Sequence, residues 1–177
     1  CGSGGGGSSG GAAPVAPVVV NLAPSFDVVA NQSTDEDQAL SLTVTNLSPN
    51  DATQLITSLT ATSSNAALVS NGVVSIAGTS ATITFTPVAD QFGSATITLT
   101  ATDDGGVLNG GVDSFSQTFT LDVVSVNDPP SFDNIANQSA AQNAAAQTVT
   151  ITGVSAGPAN ESAAQLTLTA SSSNTQI

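Results

Sequence analysis

Apolar and polar residues alternate along most of this chain with a period of two. Leu40, Leu42 and Val44 are separated by Ser41 and Thr43; Ile83 and Phe85, Ile97 and Leu99, and Phe119, Leu121 and Val123 are spaced in the same way. This period marks strands that bury one face and solvate the other. Extended segments at Phe26 to Ala30, Leu55 to Ala61 and Leu68 to Ile76 complete about seven expected strands in roughly 100 residues, the count of a two-sheet β-sandwich. Turn-forming runs separate them: Ser48-Pro49-Asn50-Asp51, Asn71-Gly72, Ala77-Gly78, Asp104-Gly105-Gly106 and Asn109-Gly110-Gly111. No segment sustains a helical period, so the expected class is all-β.

The pattern recurs. Pro24-Ser25-Phe26-Asp27 and Ala30-Asn31-Gln32-Ser33 return as Pro130-Ser131-Phe132-Asp133 and Ala136-Asn137-Gln138-Ser139, 106 positions on. Leu59-Thr60-Ala61 and Ser63-Ser64-Asn65 return as Leu168-Thr169-Ala170 and Ser172-Ser173-Asn174, 109 positions on, which places a small insertion in the second copy. Leu68 would align with Ile177, so the second copy is expected to stop less than halfway through its unit, within a longer tandem array. The expected organisation is a tether over 1–17, a first sandwich over 18–128 and a partial second one over 129–177.

Composition narrows the chemistry. Among 177 residues there are 13 Asp plus Glu and no Lys, Arg or His, for a net charge of −13. Nucleic-acid phosphates and anionic headgroups lack a cationic partner here, and a Ser-His-Asp triad, a Schiff-base lysine, a P-loop and a histidine zinc site are excluded. A carboxylate pair for glycoside hydrolysis is the chemistry left open. With 6 Phe and no Trp or Tyr there is little to build a sugar platform, and five of the six Phe fall at strand or repeat positions, so the chain reads as non-catalytic.

The single cysteine is Cys1, which excludes an internal disulfide, and Gly2 to Gly11 is almost pure Gly and Ser, a flexible tether. A chain opening on Cys and such a tether resembles a bacterial lipoprotein after signal-peptide cleavage, with the lipid on Cys1; an arbitrary start or a crosslinking cysteine is the alternative. No run of 18 apolar residues is present, so membrane attachment is expected through Cys1 alone.

The run Asp90 to Gly106, the run Asn109 to Phe115, Val126-Asn127-Asp128-Pro129-Pro130 and, in the second copy, Gly153 to Ser162 resemble the tandem cadherin-like/Ig-like repeats of large bacterial surface proteins, over about Val18 to Ile177. The resemblance implies adhesion, spacing or assembly. In an antiparallel sandwich alternate loops share a pole, so Asp35-Glu36-Asp37, Asp90 and Asn127-Asp128 are expected together at the pole facing the second copy. Like charges repel by about 1 kcal/mol at 4 Å in water and about 4 kcal/mol at an effective dielectric of 20. Either they stay hydrated or a cation neutralises them, and Ca²⁺ suits irregular oxygen sites. Resemblance to cadherins, where calcium stiffens domain junctions, implies Glu36, Asp90, Asn127 and Asp128 as ligands. Against this, Asn127 to Pro130 reads equally as a stiff linker, and the second copy has Ala141-Gln142-Asn143 in place of Asp35-Glu36-Asp37. Asp51, Asp103, Asp104 and Asp113 gather at the other pole, a second place for calcium. Asn46, Asn31, Asn137 and Asn160 each head a glycosylation sequon, as chance expects in such a composition.

Two functions follow. One is a bacterial outer-membrane or cell-surface stalk anchored by lipid, meeting other surface proteins or glycans. The other is an accessory lipoprotein docked on an outer-membrane or extracellular assembly through a sheet edge or through Pro14-Val15-Ala16-Pro17-Val18-Val19-Val20, which reads otherwise as the first domain's leading strand.

Overall fold

Seven strands form among the residues that the computed structural model describes, which are 1–2, 19–161 and 164–174. They are β1 (Gln32–Asp35), β2 (Leu40–Val44), β3 (Ile56–Ser63), β4 (Val73–Ala77), β5 (Ser80–Phe85), β6 (Gly93–Asp103) and β7 (Ser114–Val124). They make two sheets, ordered β1-β7-β6-β3 and β2-β5-β4. The tether from Ser3 onward, Pro14 to Val18, Ser162 of the last sequon and Ile177 lie outside the described residues.

The alternating positions become the core between the sheets. Ile83, Phe85, Ile97, Leu99 and Leu121 are fully buried, joined by Val44, Leu59, Phe119 and Val123, while the intervening Thr and Ser face outward. Edge-to-face contacts Phe26–Phe115 and Phe85–Phe119, with centroids 5.3 and 6.2 Å apart, fix ring orientation within it. Burying side chains of this size contributes about 1.5–3 kcal/mol each. Three aromatic rings are largely enclosed, but Phe92 and Phe132 are about half exposed.

The leading segment differs from the expected strand at Phe26 to Ala30. Ser25 makes a single antiparallel bridge to Ser48, and Asp27 donates its N–H to the Thr45 carbonyl at 3.0 Å, beside β2. The chain then crosses to the other sheet, where β1 pairs with β7, Gln32 opposite Leu121 and Asp35 opposite Val124. This pairing is parallel, whereas the sequence suggested a wholly antiparallel sandwich. A segment that serves both sheets covers one edge of each, a way of removing exposed donors and acceptors. Leu68 to Ile76 likewise resolves into bridges at Val69 and Gly72 followed by β4.

The second copy repeats the first's entry contacts. Ser131 bridges Ser155 as Ser25 bridges Ser48. The Asp133 N–H donates to the Thr152 carbonyl at 2.9 Å, and the Thr152 hydroxyl to Asp133 Oδ2 at 2.7 Å, matching the Asp27–Thr45 pair at 3.0 and 2.6 Å. Among its described residues no strand forms, and apolar positions that are buried in the first copy are open: Phe132 is 52% exposed against 6% for Phe26, and Leu168 54% against 5% for Leu59.

Candidate functional site

Chain direction sets which loops meet. β1 and β7 run parallel and both end at the pole nearest the second copy, where the β5–β6 connection also lies. Glu36 follows β1 directly; its N–H donates to the Val124 carbonyl at 2.8 Å, continuing the ladder, and the residue is 3% exposed. Its Oε1 accepts the Val126 N–H at 2.8 Å, which holds the exit of β7 against the end of β1.

Asp37 and Asp90 each adopt positive φ, at 63° and 59°, a conformation that aspartate tolerates better than most residues. There the Asp90 N–H donates to Asp37 Oδ1 at 3.2 Å. Carboxylate oxygens of Asp37, Asp90 and Asp128 all lie within 4.8 Å of one another.

The second copy contributes too. Asn160 and Glu161 lie on a 3₁₀ turn, Ala159–Glu161. The Asn160 amide donates to Glu36 Oε1 and Oε2 at 3.4 Å, and the Asp128 N–H donates to Glu161 Oε1 at 2.7 Å. Asp128 Oδ2 and Glu161 Oε2 are shut off from solvent without a hydrogen-bond partner. Desolvation, then the charges of Glu161, Asp37, Asp90 and Glu36, holds the Asp128 carboxyl above the usual carboxylate range. A cleft of about 520 Å³ between Asp90-Gln91-Phe92 and Pro158-Ala159-Asn160, and another of about 310 Å³ beside Asp35 to Gln38, flank the cluster.

Of the four residues singled out as ligands, Asp90 and Asp128 have side chains in this cluster. Glu36 stands behind it, engaged by Val126 and Asn160, and the Asn127 amide donates to the Asp128 carbonyl at 2.9 Å. Asp37, in the cluster, and Glu161, beside it, are not among the ligands expected from sequence. Asp37 shares a loop with Glu36, and only its φ distinguishes it. Glu161 carried a readable signal: strand parity applied to the second copy puts the loop after Ser155 at the pole facing the first. The cluster is all oxygen and all anionic, a donor set that suits a hard divalent cation and could not hold a soft one as well.

Cys1 is an exposed free thiol. Among the described residues no helix is long and apolar enough to cross a membrane.

A family model described as the bacterial Ig domain matches residues 15–120, more than half of the chain. No curated protein matches. Among solved structures, the titin domains Z1Z2 in complex with telethonin are similar at 16% identity and a TM-score of 0.43, over 66% of this chain and 55% of that one. This chain therefore spans little more than half the length of that structure.

Proposed function

Given that the chain belongs to the bacterial Ig domain family, whose role is structural or adhesive and surface-associated rather than catalytic, we propose that it is a lipid-anchored spacer of tandem sandwiches whose junction is stiffened by calcium. The observation that carries this reading is the meeting of Glu36, Asp37, Asp90 and Asp128 of the first copy with Glu161 of the second, in a sequence without one basic side chain. Five carboxylates drawn from two units repel one another unless a cation bridges them. When bound, Ca²⁺ would be held by Asp37, Asp90 and Asp128, with Glu161 holding the Asp128 backbone beside it and Glu36 orienting the β7 exit. Its charge would convert a repulsive hinge into a fixed one, and the clefts on either side leave room for water on the remaining coordination positions. Cys1, free and exposed, is the point of lipid attachment, and the Gly/Ser run is the spacer from the outer membrane.

The test is melting temperature in calcium against chelator, in a chain carrying both repeats in full. Binding to the folded state alone stabilises it by about 2.7 kcal/mol at a hundredfold excess over Kd. Equal melting in both conditions, or a calcium response unchanged in Asp128→Asn, would leave the carboxylates as hydrated loops.

A further inference from the structure

At the opposite pole of the first domain the structure buries more oxygen atoms than it supplies hydrogens for. Asn21 and Asp103 are 6% and 4% exposed, so both side chains are more than nine-tenths enclosed. The Asn21 amide nitrogen faces three oxygens, Asp103 Oδ1 at 2.9 Å, the Gly106 carbonyl at 3.1 Å and the Val112 carbonyl at 2.9 Å. An amide nitrogen carries two hydrogens, so three acceptors already exceed it. They also settle which way the amide points, since turning it over would set its oxygen against all three. Asn21 Oδ1 is thereby directed away from them and has no partner, and neither do Asp103 Oδ2 and Gln54 Oε1.

These three orphaned oxygens belong to side chains gathered around one backbone position. The Gly105 N–H donates to Asp103 Oδ1 at 3.0 Å. A Cβ on Gly105 would overlap Asn21 Oδ1 and the Gln54 amide nitrogen, so the absence of a side chain there lets both amides close in, and turning the Gln54 amide over sets its Oε1 at the same spot. Gln54 is held in place from both sides of its loop: its N–H donates to the Asp51 carbonyl at 3.2 Å, and the following Leu55 N–H donates to Asp104 Oδ1 at 2.8 Å. Leaving a buried acceptor unsatisfied is costly, and a buried carboxylate oxygen more so. A single trapped water has two hydrogens for three acceptors and leaves the Asp103 charge uncompensated, in a chain with no lysine, arginine or histidine.

We propose that this pole is a second, intradomain calcium site, with Asn21 Oδ1, Gln54 Oε1 and Asp103 Oδ2 as protein ligands. A hard divalent cation accepts amide and carboxylate oxygens together, tolerates irregular loop geometry and offsets the buried charge. The site ties three segments distant in sequence, the entry of the domain at Asn21, the β2–β3 connection at Gln54 and the β6 end at Asp103. Calcium here acts on the stability of the first domain alone and needs nothing from the second copy.

The experiment separates it from the junction. In the full chain, Asp37→Asn with Asp128→Asn removes two charges from the junction cluster, and calcium chloride is then titrated into chelator-stripped, desalted protein by calorimetry, with melting followed in parallel. The expected result is one retained equivalent of calcium and a melting rise of about 10 °C at a hundredfold excess over Kd. Adding Gln54→Leu is expected to weaken that binding tenfold or more, and Asp103→Asn to abolish it. Should Asp103→Asn fail to fold, Gln54→Leu alone decides, because it leaves the Asp103–Asn21 bond in place. No heat and no melting shift in the doubly substituted background, or a shift that Gln54→Leu leaves unchanged, would overturn the site. A junction that binds no calcium shows itself differently, as identical titrations of the unsubstituted and doubly substituted chains.

Discussion

Replacing Gly72 by alanine adds one methyl group where the two sheets close on each other. The Gly72 N–H donates to the Ala61 carbonyl of β3 at 2.9 Å, just before β4 begins in the opposite sheet. A Cβ there would stand 2.6 Å from Ile83 Cγ2, 2.7 Å from Phe85 Cε1 and 2.9 Å from Ala61 Cβ. Ile83 and Phe85 have no exposed surface and Ala61 only 3%, so none can swing into solvent. Overpacking of this kind costs about 1–3 kcal/mol. Alanine also restricts the unfolded chain, which returns about 0.4–1 kcal/mol. Three contacts below 3.0 Å make the steric cost the larger, leaving a net loss of about 1–2 kcal/mol. For a domain of this size that lowers Tm by roughly 4–15 °C. Thermal unfolding in chelator reads it directly, and Phe85→Leu, which deletes the nearer ring atoms, should make the added methyl less costly in the double variant than in Gly72→Ala alone. If Gly72→Ala melts with the unsubstituted protein, the sheets do not close at this point as tightly as those three distances require.

Further outcomes are expected from four other perturbations. Because the folded-state pKa of Asp128 is raised, its contribution to stability is full below the unfolded value of 3.8 and is lost as pH climbs through the raised one. In chelator, Tm should therefore fall over that window, and Asp128→Asn should flatten the fall. Asp51, held below 3.8 by the Thr53 N–H and then its hydroxyl, should titrate lower than a free aspartate by NMR and move back up in Thr53→Ala. Limited proteolysis of the chain ending at Ile177 should cut beyond Pro130 and spare the first sandwich, since Phe132 and Leu168 lie open; resistance of the whole second segment in a monomer would contradict this. Intact-mass analysis of native protein should show an acylglyceryl adduct on Cys1, and an unmodified thiol would remove the anchor from the proposal.

The alternating strands were legible because burial and period agree. Leu42, Val44, Ile83, Phe85, Ile97, Leu99, Phe119, Leu121 and Val123 all enter the core. β1 was not, since Gln32-Ser33-Thr34-Asp35 has no apolar face; it exists through backbone bonds to β7, with Asn31 Oδ1 accepting the Thr120 N–H just ahead of it. Strand parity brought Asp90 and Asp128 to one pole, but no parity argument separates Glu36 from Asp37 on a single loop. Burial makes Glu36 a backbone acceptor and a positive φ sends Asp37 to the cluster. The orphaned oxygens of Asn21 and Gln54 are invisible in sequence, where both are ordinary polar loop residues.

The parallel pairing of β1 with β7 decides how the first domain would respond to tension. A pull along a tandem chain draws the approach to Gln32 toward one pole and the continuation of Val124 toward the other. Those two strands are adjacent and aligned, so the force runs along the ladder and all its hydrogen bonds must slip together. Strands peeled from a hairpin would unzip bond by bond at far lower load. The Glu36 bonds to Val124 and Val126 lie at the end of the same seam and bear the load with it. Resistance to extension would then be set along a four-residue strand with no apolar face, and apart from Phe26, which precedes it in the chain, the core would yield only after that strand had let go.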